Sequence, residues 1–410
     1  MSARNSSFPF PLTNRRNASK AQATGGWARS IPPTRSRWAF SLLAAGSISM
    51  MGTWLGIRTV PSFGPFVADT LRSAIGSENV TRMEEAVADV EDRVNAVAST
   101  SSRSLTDTTP ADLVARPLEP TAATPVSEKP ADVTPPFPKV ATSEDGVWRP
   151  IALRNSDAHA IHQTLIHPDP ERRYAELFVF ALDLSKLEVQ AVAGSIEPKG
   201  PTPAKASERP GVIPESSRGQ LVAAFNGGFK AEHGQFGMMA NGKELLPPKA
   251  TSCTIASRDD GSIAVGSWPA LKTEAETFTW WRQTPPCMIE DGKLHAGLAS
   301  SETKNWGATL EGKTVIRRSA LGLSADGKTL FMGISNSTTA RALALGMQAA
   351  GSVSVAQLDV NFSFPRFLLF RDDEDTGALT AKGAVNGLLY APDEFLGHSS
   401  TRDFFYVTLR

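Results

Sequence analysis

The sequence predicts an α+β fold: a single globular domain on a mixed, mainly antiparallel sheet with one strand-helix-strand crossover, preceded by a membrane anchor and a disordered linker. Three observations carry the prediction. Short apolar runs separated by Asp-Gly turns fill residues 146–410, one helical pattern (ARALALGMQAA) lies between two of those runs, and an uncharged stretch precedes a Pro-rich segment near the N-terminus. With 410 residues, 41% of them hydrophobic, the chain is long enough for a sizeable core plus appendages.

In chain order, residues 1–37 form a basic segment. Arg4, Arg15, Arg16, Lys20, Arg29, Arg35 and Arg37 have no Asp or Glu among them. The whole chain balances 42 basic against 42 acidic residues, so no nucleic-acid partner is expected. Residues 38–57, WAFSLLAAGSISMMGTWLGI, carry no charge and are long enough to cross a bilayer as a helix. The basic flank then predicts a single-pass protein with its C-terminal part extracytoplasmic, in the periplasm or at the cell surface. A cleaved signal peptide is the alternative, but no convincing A-x-A site follows and the run is longer than a usual h-region.

Residues 58–100 read as a membrane-proximal segment. Within it Val80, Met83, Val87, Val90, Val94 and Val97 recur at three- and four-residue steps, the pattern of an apolar helix stripe. Self-association through residues 78–100, as a short coiled coil, fits that spacing. Residues 101–145, rich in Ser, Thr, Pro and Ala without a sustained period, read as an extended linker.

The remaining residues, 146–410, are one domain's worth of chain. ELFVFALDL and LEVQAVAG predict a hairpin around Ser185-Lys186, and QLVAAFNGGF an apolar strand ending at a glycine pair. CTIASRDDGSIAVGSW, CMIEDGKLHAG and RSALGLSADGKTLFMGIS each place Asp-Gly between two strands. After the last of these, Ser337 or Thr338 offers an N-cap, Gly351 stops the helix, and VSVAQLDV supplies another strand. A strand, a helix and a strand predict two parallel neighbours with their C-terminal ends on one edge. Asn336 and Ser337 would then lie near Asp359 and Asn361, beside a helix N-terminus that favours an anion.

Several of these segments together resemble the phosphodiester glycosidase domain family, which includes the lysosomal uncovering enzyme and bacterial exported proteins. The resemblance rests on AAFNGGFK at 223–230, GQFGMMANGK at 234–243, DGSIAVG, and RSALGLSADGKTLFMGIS ahead of a helix and Leu358-Asp359. It covers about Glu176 to Phe370. Asn226, Gly227 and Gly228 match the family's asparagine-glycine turn, Arg318 an arginine opening a strand, and Leu358-Asp359 the start of a Gly-rich loop. This chain departs from the family by placing Val360, Asn361 and Phe362 where glycines are usual, with Ser363 the recognisable remainder.

The resemblance implies a hydrolase acting on a glycosyl phosphodiester or a related cell-envelope glycan. Cleavage at an anomeric carbon needs a carboxylate, and the phosphate needs cations or N–H dipoles. Asp359 is the expected carboxylate and Arg318, then Arg366, the phosphate clamp. Asn226, Gly227, Gly228, Asn336, Ser337, Asn361 and Ser363 are the expected substrate contacts, and His233 is a candidate acid or base. Each has a structural alternative: a turn Asp, a strand-edge ion pair, a plain glycine turn, a surface imidazole. The competing class is a non-catalytic glycan- or protein-binding module in which Phe362 and Phe364 form an aromatic platform.

Glu290 and Asp291 read as turn residues. His159, His162 and His167 lack the accompanying Cys, Asp or Glu cluster of a zinc site, so no metal or cofactor is expected. Cys253 and Cys287, the only cysteines, either form a disulfide or sit as small buried residues.

Overall fold

The computed structural model describes residue 56 and residues 63–98, 129–156, 159–201, 203–300, 303–307 and 314–410. Its strands form three sheets. The first runs, in spatial order, β1 (Arg149–Pro150), β2 (Ile161–Ile166), β3 (Leu177–Asp183), β14 (Thr329–Thr338), β13 (Ile316–Leu323), β15 (Ser354–Val360), β11 (Ile289–Glu290) and β12 (Lys293–Leu294). The second runs β7 (Lys243–Leu246), β6 (Met238–Ala240), β10 (Phe278–Thr284), β8 (Cys253–Arg258) and β9 (Ile263–Ser267). The third runs β17 (Leu379–Gly383), β16 (Phe367–Asp372), β5 (Leu221–Asn226), β18 (Phe404–Leu409) and β4 (Leu187–Val192).

The three Asp-Gly turns form as expected. Gly261, Gly292 and Gly327 all take positive φ (78°, 72° and 71°), which glycine adopts without steric cost, and close β8–β9, β11–β12 and β13–β14. The helix after β14 is α3 (Ala340–Ala349). Its N-cap is Thr339, whose hydroxyl accepts from the Ala342 N–H at 3.1 Å, one residue beyond the expected caps because β14 continues through Thr338. Gly351, at φ 109°, follows the helix end.

Several expectations are corrected. The sheet is not mixed, and the fold is not an α+β domain behind an anchor: every pairing between named strands is antiparallel, in a strand-dominated three-sheet architecture. β14 and β15 do run parallel, but β13 lies between them and is antiparallel to both. The helical crossover therefore spans a strand instead of joining neighbours.

The segments around Ser185-Lys186 do not pair with each other. β3 lies between β2 and β14, while β4 pairs with β18 in the third sheet. Burial explains the difference, since all but the last residue of β3 is buried and both its faces are covered. Phe178, Phe180 and Leu182 enter the core shared by the three sheets, and Leu177, Val179 and Ala181 pack with α3 residues Leu343, Ala344 and Met347.

The expected membrane anchor, and the single-pass extracytoplasmic placement derived from it, are corrected as well. Among the described residues no helix is long and apolar enough to cross a membrane. The run at 38–57, apart from Gly56, lies outside the described residues. The described part of the predicted linker also differs from expectation. Val133 donates to the Gly146 carbonyl at 3.0 Å, Trp148 Nε1 donates to the Ala131 carbonyl at 3.1 Å, and Val140 and Asp145 are buried.

The shared core is aromatic. Phe180 of the first sheet stacks on Phe367 of the third with centroids 4.2 Å apart, and Phe405 of the third meets Trp280 of the second at 5.5 Å. Cys253 and Cys287 form a disulfide, tying β8 to the segment that enters β11. Ahead of the sheets stand α1 (Phe63–Ile75) and α2 (Ser77–Ala98). α2 is held through Asp92, which accepts from Arg172 Nε at 3.2 Å and from the Tyr174 hydroxyl.

Candidate functional site

Where the first and third sheets meet, the ends of β5 and β15 are sewn together. Asp359, one residue from the end of β15, donates its N–H to the Gly227 carbonyl at 3.2 Å. One carboxylate oxygen, Oδ1, accepts from the Val360 N–H at 2.8 Å; the other, Oδ2, accepts from Arg402 Nη2 at 2.5 Å. Arg402 Nη2 also donates to the Gly228 carbonyl at 2.9 Å. The half-buried ring of Phe364 stacks on this guanidinium, 4.3 Å from its carbon, a cation–π contact. Side-chain exposures of 7% for Arg402 and 6% for Asp359 leave the pair buried yet not sealed. Arg402 Nε is buried and has no hydrogen-bond partner among the described residues.

His233 stands in the short turn Ala231–His233 that follows the glycine pair, with Nε2 3.5 Å from Glu232 Oε1. Burial pulls the imidazole below the ordinary histidine range and outweighs the charges of Asp359 and Glu232, which favour the imidazolium. Arg402 and Arg72 add to the downward push. The ring is therefore mainly neutral at pH 7 while keeping 37% of its side chain exposed.

Other expected residues are spent on architecture. Asn226 is buried; its Nδ2 donates to Ser319 Oγ at 3.0 Å and its Oδ1 accepts from the Arg366 N–H at 3.0 Å. The glycine pair makes room for an ion pair, Arg282 with Asp403, instead of a ligand. A Cβ on Gly227 would stand 2.1 Å from Asp403 Oδ2, and one on Gly228 would stand 2.7 Å from the Arg282 guanidinium carbon. The Gly228 N–H donates to Asp403 Oδ2 at 2.8 Å.

Arg318 lies far from the expected clamp role. It is fully buried and donates to the carbonyls of Trp306, Thr338 and Thr314 and to Gln357 Oε1, and burial draws its pKa down to about 9. The neighbouring Arg317 points elsewhere, since successive residues of a strand face opposite ways. Arg317 Nε donates to Asn336 Oδ1 at 2.9 Å and Nη1 to the Phe362 carbonyl at 2.7 Å, and Phe362 stacks 4.6 Å from its guanidinium carbon. Arg317 thereby links Asn336 near the end of β14 to the loop after β15. Ser337 is half-buried beside Asn336.

The 361–366 loop keeps a glycine-like shape without glycine. Asn361 holds φ 135°, a region glycine occupies freely, and its Oδ1 accepts from the N–H groups of Ser363 and Phe364, both at 2.8 Å. Arg366 closes the loop by donating to the Ser363 carbonyl at 2.7 Å and by pairing with Glu394. Its guanidinium is thereby committed.

Asp359 is thus joined to the Gly227 carbonyl directly and to the Gly228 carbonyl through Arg402, its charge acts on His233, and Arg318 and the Arg366 guanidinium are engaged elsewhere. Arg402 is the residue that sequence reasoning missed. Its one local signal is position: it is the last residue but one before a strand, next to an acid, so the two side chains face opposite ways. Glu290 accepts from the Ser267 N–H at 2.7 Å, and His167 Nδ1 lies 2.8 Å from Asp145 Oδ1. Among the described residues no group of three or more His, Cys, Asp or Glu is placed to hold a metal ion. A cleft of about 500 Å³ bounded by Lys199, Gln235, Pro247 and Lys249 begins two residues along the chain from His233.

No family model and no curated protein matches the chain. Among solved structures it is similar to the zebrafish N-acetylglucosamine-1-phosphodiester alpha-N-acetylglucosaminidase catalytic domain auto-inhibited by pro-peptide, at 13% identity and TM-score 0.40, over 64% of this chain and 88% of that one. It is also similar to a hypothetical protein from Synechocystis, at 10% identity and TM-score 0.35, over 62% of this chain and 63% of that one. Both are weak structural resemblances without sequence support.

Proposed function

We propose that the domain is a glycosidase-type hydrolase that releases a sugar from a glycosyl phosphodiester, with Asp359, Arg402 and His233 at the reacting centre. The observation that supports this most is the buried Asp359–Arg402 pair, with the face of Phe364 against its guanidinium and its charges acting on an imidazole held below the ordinary histidine range. The sugar packs on Phe364, and the Asp359 carboxylate faces the positive charge that develops at the anomeric carbon. The bond from that carbon to the phosphate oxygen breaks, and the phosphate monoester leaves with the electron pair. Water forms the new bond and gives its proton to the neutral His233. Arg402 holds the Asp359 carboxylate in place, and its buried Nε, without a partner among the described residues, can donate to a phosphate oxygen that reaches it. A phosphate needs little help in leaving, so the centre works without a strong general acid.

A specific observation favours a second reading, a sugar-binding module. Both Asp359 oxygens already accept hydrogen bonds, and Phe362 and Phe364 are half-exposed rings backed by guanidinium groups.

Hydrolysis of a chromogenic sugar-1-phosphodiester panel by the full chain tests the proposal, with folding of each variant checked by circular dichroism. Asp359→Asn should slow turnover at least about a hundredfold. Because the neutral form of His233 is the working one, the wild-type rate should fall as pH drops through its lowered pKa, below 6.5, and His233→Gln should flatten that acid limb. An unchanged rate in folded Asp359→Asn rejects the centre. Sugar binding with no release from any substrate moves the assignment to the binding module.

A further inference from the structure

Helix α2 presents the wrong face to solvent. Ala88 is buried, and Thr81, Glu85, Asp92 and Asn95 are half-buried, with Asp92 fixed by Arg172 and Tyr174. The apolar side chains of Met83, Val87, Val90, Val94 and Val97 point the other way and are between 51% and 80% exposed. A helix that docks its polar flank and leaves its hydrophobic stripe in water has a partner for that stripe. The exposed stripe is a short heptad seam: Val87 and Val94 occupy a positions, and Met83, Val90 and Val97 occupy d positions, while Val80, one heptad before Val87, is buried within the chain and lies outside the seam.

We propose that this seam pairs with the same seam of a second copy of the chain, as a parallel two-stranded coiled coil. The charges flanking the seam favour the parallel orientation. In that alignment the flanking g and e residues meet as Asn79 with Glu84, Ala86 with Glu91 and Arg93 with Ala98, none of them a like-charge pair. An antiparallel alignment would instead set Glu84 against Glu91 of the second copy. A lipid surface is the wrong occupant: the helix carries Glu78, Glu84, Glu85, Asp89, Glu91 and Asp92 against only Arg82 and Arg93, the reverse of the basic face that holds a helix on anionic lipid. About two heptads make a small interface, so the association is expected in the micromolar range, about 1–100 µM.

Sedimentation equilibrium of the full chain, loaded from about 5 to 200 µM, should reveal a monomer–dimer equilibrium in that range. Val90→Lys should weaken it at least tenfold with helix content retained. Under mild oxidation Val94→Cys, at an a position that faces itself across a parallel seam, should form a disulfide-linked dimer, whereas Asp89→Cys at c should not. A chain that stays monomeric throughout overturns the proposal. Equal cross-linking by both cysteine variants also overturns it, as does pelleting with phosphatidylglycerol vesicles in place of self-association.

Discussion

Arg402 and Asp403 are adjacent in the chain and end up in two buried ion pairs with opposite characters. Asp403 faces Arg282, whose Nε donates to Oδ2 at 2.8 Å, with side-chain exposures of 0% for Arg282 and 1% for Asp403. The remaining Arg282 donors reach the carbonyls of Phe229, Phe236 and Gln283, and the Gly228 N–H completes the Asp403 carboxylate. Arg402 turns the other way to Asp359, keeps Nε without a partner among the described residues, has the face of Phe364 against its guanidinium, and acts through its charge on His233. A closed, fully hydrogen-bonded pair locks two sheets together; an open one of the same chemistry keeps donor capacity for something else.

Breaking each pair should separate these roles most sharply. Asp403→Asn leaves the Arg282 charge buried without its counterion and should cost about 3–5 kcal/mol of folding stability. Asp359→Asn leaves Arg402 with the Gly228 carbonyl, the Phe364 ring and a path to solvent, and should cost only about 1–2 kcal/mol. Urea midpoints at constant slope measure both. Equal losses would mean that the two pairs are the same structural device, and the Asp359 site would lose its distinction.

A smaller effect distinguishes fold from site by pH. His162, in β2, is 5% exposed, and burial first, then the charges of His159 and Lys186, lower its pKa to about 4. The unfolded chain binds that proton below about pH 6.5, whereas the folded chain resists it down to about pH 4. Stability is therefore complete above the unfolded value and is lost as pH falls towards the folded one, a decline of about 3 kcal/mol from this group alone. His162→Gln should remove that decline in urea titrations from pH 7 to pH 4 and leave the acid limb of activity, assigned to His233, in place. A variant that retained the full decline would show that another group carries it.

Much of the strand order could not be read from the sequence, for a physical reason. Asp-Gly turns announce themselves because their geometry is local, and all three closed the expected hairpins. Asp183–Lys186 also turns, with the Asp183 carboxylate accepting from the Ser185 N–H at 3.0 Å, yet the strands that follow and precede it belong to different sheets. A turn bends the chain; partner choice is decided by which faces are buried. The site divides in the same way. Asp359 at a strand end and the turn at Asn226 to Gly228 were legible as local chemistry, while Arg402 reaches Asp359 only through the tertiary contact of two sheets. Arg318 was expected to be the clamp from its place at the opening of a strand and its guanidinium chemistry, and its burial among the carbonyls of Trp306, Thr314 and Thr338 is a tertiary fact that residue type does not carry.

The least disruptive change bears on the open pair itself. Arg402→Lys keeps a cation beside Asp359, so folding should change by no more than about 1 kcal/mol. What it removes is shape: the flat face on Phe364, the fork that spans Asp359 and the Gly228 carbonyl, and the Nε donor. If that donor holds a phosphate oxygen, turnover of a sugar phosphodiester should fall about tenfold, or about 1.4 kcal/mol, with most of the loss in kcat/KM. If the guanidinium serves only to neutralise Asp359, the lysine substitutes fully and the rate does not move. The first outcome makes the partnerless nitrogen a substrate contact, and the second reduces Arg402 to a counterion like Arg282.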